Sequence, residues 1–310
     1  MTAYITRRLL FAVVLVFAVS SASLLLVRLS PGDYVTETLG AKAKRAEVEA
    51  ARERYGLNRS FGKQYVSWLA GVVRLDFGRS MQYDRPVAEL IPEAAVNTGI
   101  LALTALVVAT LVGVPLGVVT GTRRDGVVSA AIRAISVLLL SMPPLLTSLF
   151  LVFLAARSGL LPVGGMTSSN GGELLSHMIV PVAALALPLA AMFERLQAQA
   201  ISETIGQPYV LATLSRGVPA SRVIWRDAFK NALRPIASIY GLVVGTLLSG
   251  SFAVETITAW PGLGQLMLGA LRARDVYLVA GCAAAGSVFL ALGTLLSDAM
   301  LAAVDPRTSE

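Results

Sequence analysis

Histidine occurs once in this chain, as His177, and cysteine once, as Cys282; lysine occurs only as Lys42, Lys44, Lys63 and Lys230. Those counts restrict the available chemistry. No HExxH pair and no Cys/His cluster can hold a metal. A Ser/His hydrolase could use only His177, and no GxSxG nucleophile turn accompanies it. None of the lysines stands in a GxxxxGK[ST] loop, so the chain lacks a P-loop phosphate cradle. Any ATP hydrolysis coupled to this protein therefore falls to another subunit. Cys282 lies inside an apolar run, where it excludes an intramolecular disulfide and packs as a small hydrophobe. Glu255 stands at the end of another such run. An acid at membrane depth is a functional candidate, and one at a span end can equally reach the outer headgroups.

A basic, twice-broken helical stretch, QPYVLATLSRGVPASRVIWRDAFKNALRPI at 207–236, is set between two long apolar runs. Pro208 suits a helix start, and the sequence predicts a helix from about Tyr209 to Arg216. Gly217 suits the left-handed residue that ends it, and Pro219 the start of the next helix. The second helix then places Arg222, Arg226, Lys230 and Arg234 four apart on one stripe, with Trp225, Phe229 and Leu233 on the adjoining one. Such a hairpin fits a groove on a cytoplasmic partner or an anionic lipid surface. The pattern alone does not separate the two.

Of the 310 residues 55% are hydrophobic and 15% are charged, and the mean hydropathy is +0.70. That is too little charge to cover a soluble domain of this size, which marks an integral membrane protein. Residues 9–27, 94–122, 134–156, 178–193, 236–254 and 276–297 contain no Asp, Glu, Lys or Arg. A bilayer core takes roughly 20 apolar residues per helix, so the expected fold is all-α with six transmembrane helices. The fourth run is short alone and is extended by Leu174 and Leu175. The first, preceded by Arg7 and Arg8 and followed by Arg28, reads as a retained anchor rather than a cleaved signal peptide.

The net charge of +7 is read as topology, not as affinity for nucleic acid. Arg7–Arg8, the Arg123–Arg124–Arg133 group, and the basic residues from Arg195 to Arg234 alternate as a six-span chain with both termini cytoplasmic requires. The charged segment between the first two spans is long and nearly balanced, so it can lie outside. The expected organisation is an anchor helix at 1–29, an external loop with short helices at 30–93, and a five-span core at 94–305. That core includes a cytoplasmic loop at 195–235 and an external re-entrant segment at 256–275. In the external loop, Lys42 to Arg54 reads as a charged helix. Tyr65, Trp68, Leu69, Val72 and Val73 form an apolar stripe, punctuated by Gly56, Gly62 and Gly78, that can lie on the bilayer interface or pack over the spans.

Candidate gate or pathway residues sit where spans are irregular. Pro143–Pro144 interrupts the third, and Pro181 and Pro188 punctuate the fourth; a kink can line a pathway or simply serve packing. After the fifth span Pro261, Gly262 and Gly264 break the chain before a short apolar stretch, as a re-entrant or interfacial helix would.

Taken in order, these motifs resemble the membrane-spanning permease subunits of bacterial ABC importers, specifically the B-type subunit of the dipeptide/oligopeptide group. The resemblance runs nearly end to end: LSPGD at 29–33, YGLNRSFGKQYVSWL, LDFGRSM and RPVAELI in the external loop, ETITAWPGLGQLMLGALRARD at 255–275, and the terminal DPR at 305–307. In that family the loop before the fifth span carries a helix, the EAA motif, that inserts into a cleft of the ATPase subunit. YVLATLSRG at 209–217 is similar to it through Tyr209, Val210, Arg216 (for the usual lysine) and Gly217, with Thr213 and Ser215 where alanines are usual and Ala212 among the coupling residues between them. NALRPI at 231–236 matches its continuation, while Ala198 and Pro208 depart from the usual arginine and aspartate.

The resemblance implies an ATPase-coupling role for this loop, with Arg222 and Arg226 behind it, and a permease in the bacterial cytoplasmic membrane with no catalytic residues and no cofactor. ATP and Mg would be bound by partners: two ATP-binding subunits, beside a homologous second permease, an external substrate-binding protein and membrane lipid. Di- or oligopeptides are the implied substrate, with nickel, glutathione or another small solute as alternatives. A self-sufficient channel or secondary transporter is the rival from another class. It predicts charges deep in the spans, which are absent except at their ends.

Overall fold

Long apolar stretches without water around them must satisfy their own backbone groups, and helices do so. In the computed structural model the described residues are 2–304 except 30, 31, 33, 40–44, 56, 75, 124 and 167–170. Lys42, Lys44, Gly56, Arg124, most of the 29–33 stretch and the terminal 305–307 motif lie outside them. Among the described residues the only β pairing is one isolated bridge, Arg79 with Pro86. The helices are α1 (Thr2–Leu29), α2 (Tyr34–Leu39), α3 (Arg45–Arg54), α4 (Phe61–Val72), α5 (Val87–Thr122), α6 (Val127–Leu140), α7 (Pro144–Ser158) and α8 (Gly171–Ile205). The basic loop follows with α9 (Pro208–Ser215), α10 (Ala220–Arg222), a π-helical turn (Val223–Ala228) and α11 (Phe229–Ala232). The chain ends with α12 (Arg234–Ile257), α13 (Leu263–Ala273) and α14 (Val276–Val304).

Among the described residues, four helical segments are long and apolar enough to cross a bilayer: Val87–Thr122, Glu173–Ile205, Arg234–Ile257 and Val276–Leu296. A fifth crossing results if α6 and α7 count as one span, broken at Ser141–Pro143 and bent by 107°. Pro144 opens α7 at a position where its missing N–H costs nothing, and Pro143 caps that helix in extended backbone. Pro181 and Pro188, by contrast, both lie within the single helix α8. In α1 the apolar segment Leu10–Leu26 is shorter.

The chain divides into two units, Met1–Thr98 with Pro261–Phe289, and Gly99–Trp260 with Leu290–Glu310. In the first, Trp68 of α4 packs with Leu24 of α1 and Ala280 of α14, flanked by Tyr65, Leu69 and Val72. Tyr65 also donates its hydroxyl hydrogen to Ser21 Oγ at 3.0 Å. The α4 stripe thus packs over helices, and only Val73, which points away and is exposed, departs from the expectation. The segment between α4 and α5 is pinned by Asp275, whose buried carboxylate accepts from Ser80 Oγ at 2.6 Å and from the Gln82 amide at 3.0 Å. The same carboxylate caps α14 through the Leu278 amide at 3.2 Å. Thr98 Oγ1 accepts from the first amide of α13, Leu263, at 2.8 Å, and Asn97 donates to the Pro261 carbonyl at 2.9 Å.

The second unit is a helix bundle around α8. Its core joins Leu101, Ala105 and Ala109 of α5, Leu185, Leu189 and Phe193 of α8, and Tyr240, Val243 and Leu247 of α12. Phe193 and Tyr240 stack with ring centroids 5.5 Å apart. Gly113, Gly117 and Gly121 recur every fourth residue on α5 and let α8 approach closely. A Cβ at Gly117 would stand 2.5 Å from both the Gln197 Cβ and the Glu194 carbonyl oxygen. Beside that contact the buried Glu194 carboxylate accepts a hydrogen bond from Thr120 Oγ1. Gln197, fully buried at 0% exposure, makes no hydrogen bond through either amide atom.

Candidate functional site: the short helix of the basic loop

The loop at 207–236 folds back on the ends of α5 and α8 because its apolar residues have nowhere else to be buried. Val118 of α5, Ala200 and Ile201 of α8, Ala228 and Ala232 form one buried cluster, flanked by Ile205, Ile224 and Phe229. α9 is held against this base by Val210, which is 1% exposed. Tyr209, Leu211, Ala212, Ser215 and Arg216 face outward, and Thr213 is half-buried. The Thr213 and Ser215 hydroxyls donate back to the carbonyls of Tyr209 and Leu211, at 2.8 and 3.0 Å. Those bonds occupy the hydroxyls within the helix, so the outward surface of α9 is apolar with a single charge, Arg216. Gly217 then reverses the chain at φ +81°, with open space where a side chain would stand.

The second half of the loop differs from the expected regular helix. Val223–Ala228 is π-helical, a form found as single turns, often at functional sites. The extra residue per turn changes which side chains are buried: Val223, Ala228, Ala232 and Ile236 face inward, spaced five, four and four apart. Trp225, expected on the apolar stripe, is instead 50% exposed, and Phe229 and Leu233 are half-buried. Arg222, Arg226, Lys230 and Arg234 are all exposed. Trp225 and Phe229 remain neighbours, with ring centroids 5.5 Å apart. The π turn has no marker in residue type; it carries Ala228 onto the α5–α8 base and leaves Val223 buried as well.

One cross-link was not anticipated. Asn231 donates its side-chain N–H to the Tyr209 hydroxyl at 2.8 Å, joining two segments 22 residues apart. Tyr209 and Asn231 each stand in a recognisable motif, but their spacing alone gives no reason to pair them.

The gate candidates are dispersed. Pro144 lies at the corner between α6 and α7, and a Cβ on Gly250 of α12 would stand 3.4 Å from Pro144 Cγ and 3.3 Å from Leu185 Cδ2 of α8. The bent α6–α7 pair thus meets α8 and α12 at a glycine, with Pro143 exposed beside it and Pro188 half-buried one turn beyond Leu185. Glu255 is fully buried at 0% exposure, which is not the placement of an acid reaching outer headgroups. In the other unit, Pro261 is exposed while Gly262 and Gly264 are buried at the start of α13.

Residues 113–310 match the family described as binding-protein-dependent transport system inner membrane component, and residues 1–90 match its N-terminal region. The chain is 31% identical over 313 residues to the oligopeptide transport system permease protein AppB of Bacillus subtilis (strain 168), covering 99% of each chain. It is 28% identical to a putative peptide permease protein of Brucella suis, again over 99% of each. It is 26% identical to the nickel import system permease protein NikB of Staphylococcus aureus, over 98% of this chain and 90% of that one. The chain belongs to the family of binding-protein-dependent transport system inner membrane components, the multi-pass permease subunits of ABC importers.

Proposed function

We propose that this chain forms half of the translocation pathway of an ATP-driven importer of di- or oligopeptides, with α9 as its ATPase-coupling helix. The observation that carries the reading is α9 itself: an eight-residue helix with a single buried anchor, Val210, and an apolar outward surface closed by Gly217, in a chain similar over its whole length to a peptide permease. α1 and the bent α6–α7 pair are read as the first and third of six spans, which puts both termini and the basic loop in the cytoplasm. The anchor, external loop and five-span core keep the boundaries 1–29, 30–93 and 94–305. The assembly contains a homologous second permease, two ATP-binding subunits that hold ATP and Mg, and an external binding protein that delivers substrate. Closure of the ATPases moves α9, and the spans open outward, then inward, each state favoured only because the ATPase conformation of that stage binds it better. Pro143, Pro144, Pro188, Glu255, Pro261, Gly262 and Gly264 are candidates for the moving parts of the pathway.

The likeness to NikB supports a second reading, nickel as cargo. Both are tested by reconstituting the purified complex with its binding protein and measuring ATP-dependent uptake of labelled peptides and of nickel. Peptide uptake supports the first reading, nickel uptake without peptide uptake the second. Uptake of either without ATP overturns both.

A further inference from the structure

We propose that Asn231 is a positioning residue that ties α9 to the start of α12, so that a push on α9 reaches the fifth span directly; this rests on α9 being the coupling helix. Between α9 and α12 the backbone path is jointed. It passes the left-handed Gly217, whose surroundings are open, then a three-residue helix, then the π turn. A force transmitted along that path is absorbed by rotation at Gly217, since glycine crosses its φ/ψ range without steric cost. α9 itself is fastened by only one buried side chain.

The Asn231–Tyr209 bond bypasses the joint. Tyr209 is in the first turn of α9, and Asn231 is three residues before Arg234, where α12 begins. The amide suits this place because it can donate twice. One N–H reaches the Tyr209 hydroxyl at 2.8 Å, and the same nitrogen lies 3.4 Å from the Asp227 carbonyl in the π turn. One planar group thereby fixes α9, the π turn and α11 in mutual register. Both side chains are exposed, so removing the bond leaves the buried base of the loop intact.

The test is the coupling ratio, substrate imported per ATP hydrolysed, in the reconstituted complex. A single neutral hydrogen bond is worth about 0.5–1.5 kcal/mol net, or a factor of roughly 2–10. Asn231→Ala and Tyr209→Phe are each expected to lower the ratio about 2–10-fold with assembly unchanged. The double variant is expected to be no worse than either single one, because both remove the same bond. Asn231→Asp, whose carboxylate can accept from the Tyr209 hydroxyl but cannot donate to the Asp227 carbonyl, is expected to give a ratio between those of Asn231→Ala and the unaltered protein. A wild-type ratio in Asn231→Ala, or additive losses in the double variant, overturns the tether. Failure of the underlying reading is distinguishable: if a cysteine at Ala212 does not cross-link to the ATPase subunit in the unaltered complex, α9 is not the coupling helix at all.

Discussion

At the scale of the residue, Gly217 is the position where sequence and geometry agree most closely. Its φ of +81° is open to glycine and costly for any β-branched side chain, although nothing stands near its Cβ. Gly217→Val therefore acts through the backbone alone, at a cost of roughly 1–2 kcal/mol. It is expected to abolish most ATP-coupled uptake in proteoliposomes while the complex still assembles. Gly217→Asn, which tolerates the left-handed region, is expected to retain uptake. The glycine was legible because Arg-Gly-Val-Pro spells a helix end followed by a helix start. Glu255 was legible only as an acid near a span end; its complete burial is set by neighbours that no local pattern names.

At the scale of the element, two features escaped the pattern of residue types. The π turn at Val223–Ala228 shifts Trp225 outward and brings Val223, Ala228 and Ala232 inward. A four-residue spacing of basic residues cannot reveal it, because the shift is dictated by the surface on which the segment lies. The close approach of α5 and α8 was written in Gly113, Gly117 and Gly121, yet small residues in a span read as lipid-compatible until a partner helix is known. Gly117→Val would place side-chain carbon against the backbone oxygen of Glu194. It is expected to destabilise the protein by about 1–3 kcal/mol, seen as a lower melting temperature in detergent. Gln197→Leu works in the opposite direction. Replacing a buried, unbonded carboxamide with an apolar group of similar volume is expected to stabilise by about 1–3 kcal/mol, and an unchanged or lower melting temperature would show that the amide is satisfied by another route. Thr120→Val removes the donor to the buried Glu194 carboxylate and is expected to cost about 1–3 kcal/mol by the same measurement.

At the scale of the whole molecule, the charge-free runs correspond to helices in every case, since backbone satisfaction in lipid leaves helices as the economical choice. What the runs could not convey was the 107° bend within the third, where two consecutive prolines turn a single apolar stretch into two helices. Nor could they distinguish faces. α5 leaves Ile100, Leu103, Val107 and Leu111 exposed along one side, a surface suited to lipid or to a second permease. The role of the molecule as a transmission element rests on α9 touching an ATPase. Cysteine cross-linking tests this most directly, because the one native cysteine, Cys282, is buried in α14 and can be replaced by alanine. In that background a cysteine at Ala212 on α9 is compared with one at Leu103 on the exposed apolar side of α5, in native membranes carrying the full complex. Cross-linking of Ala212→Cys to a P-loop ATPase subunit, altered by ATP and absent for Leu103→Cys, is the expected result. No cross-link from Ala212→Cys in membranes that retain the assembled complex would contradict it, and would leave the loop as a hairpin lying on lipid.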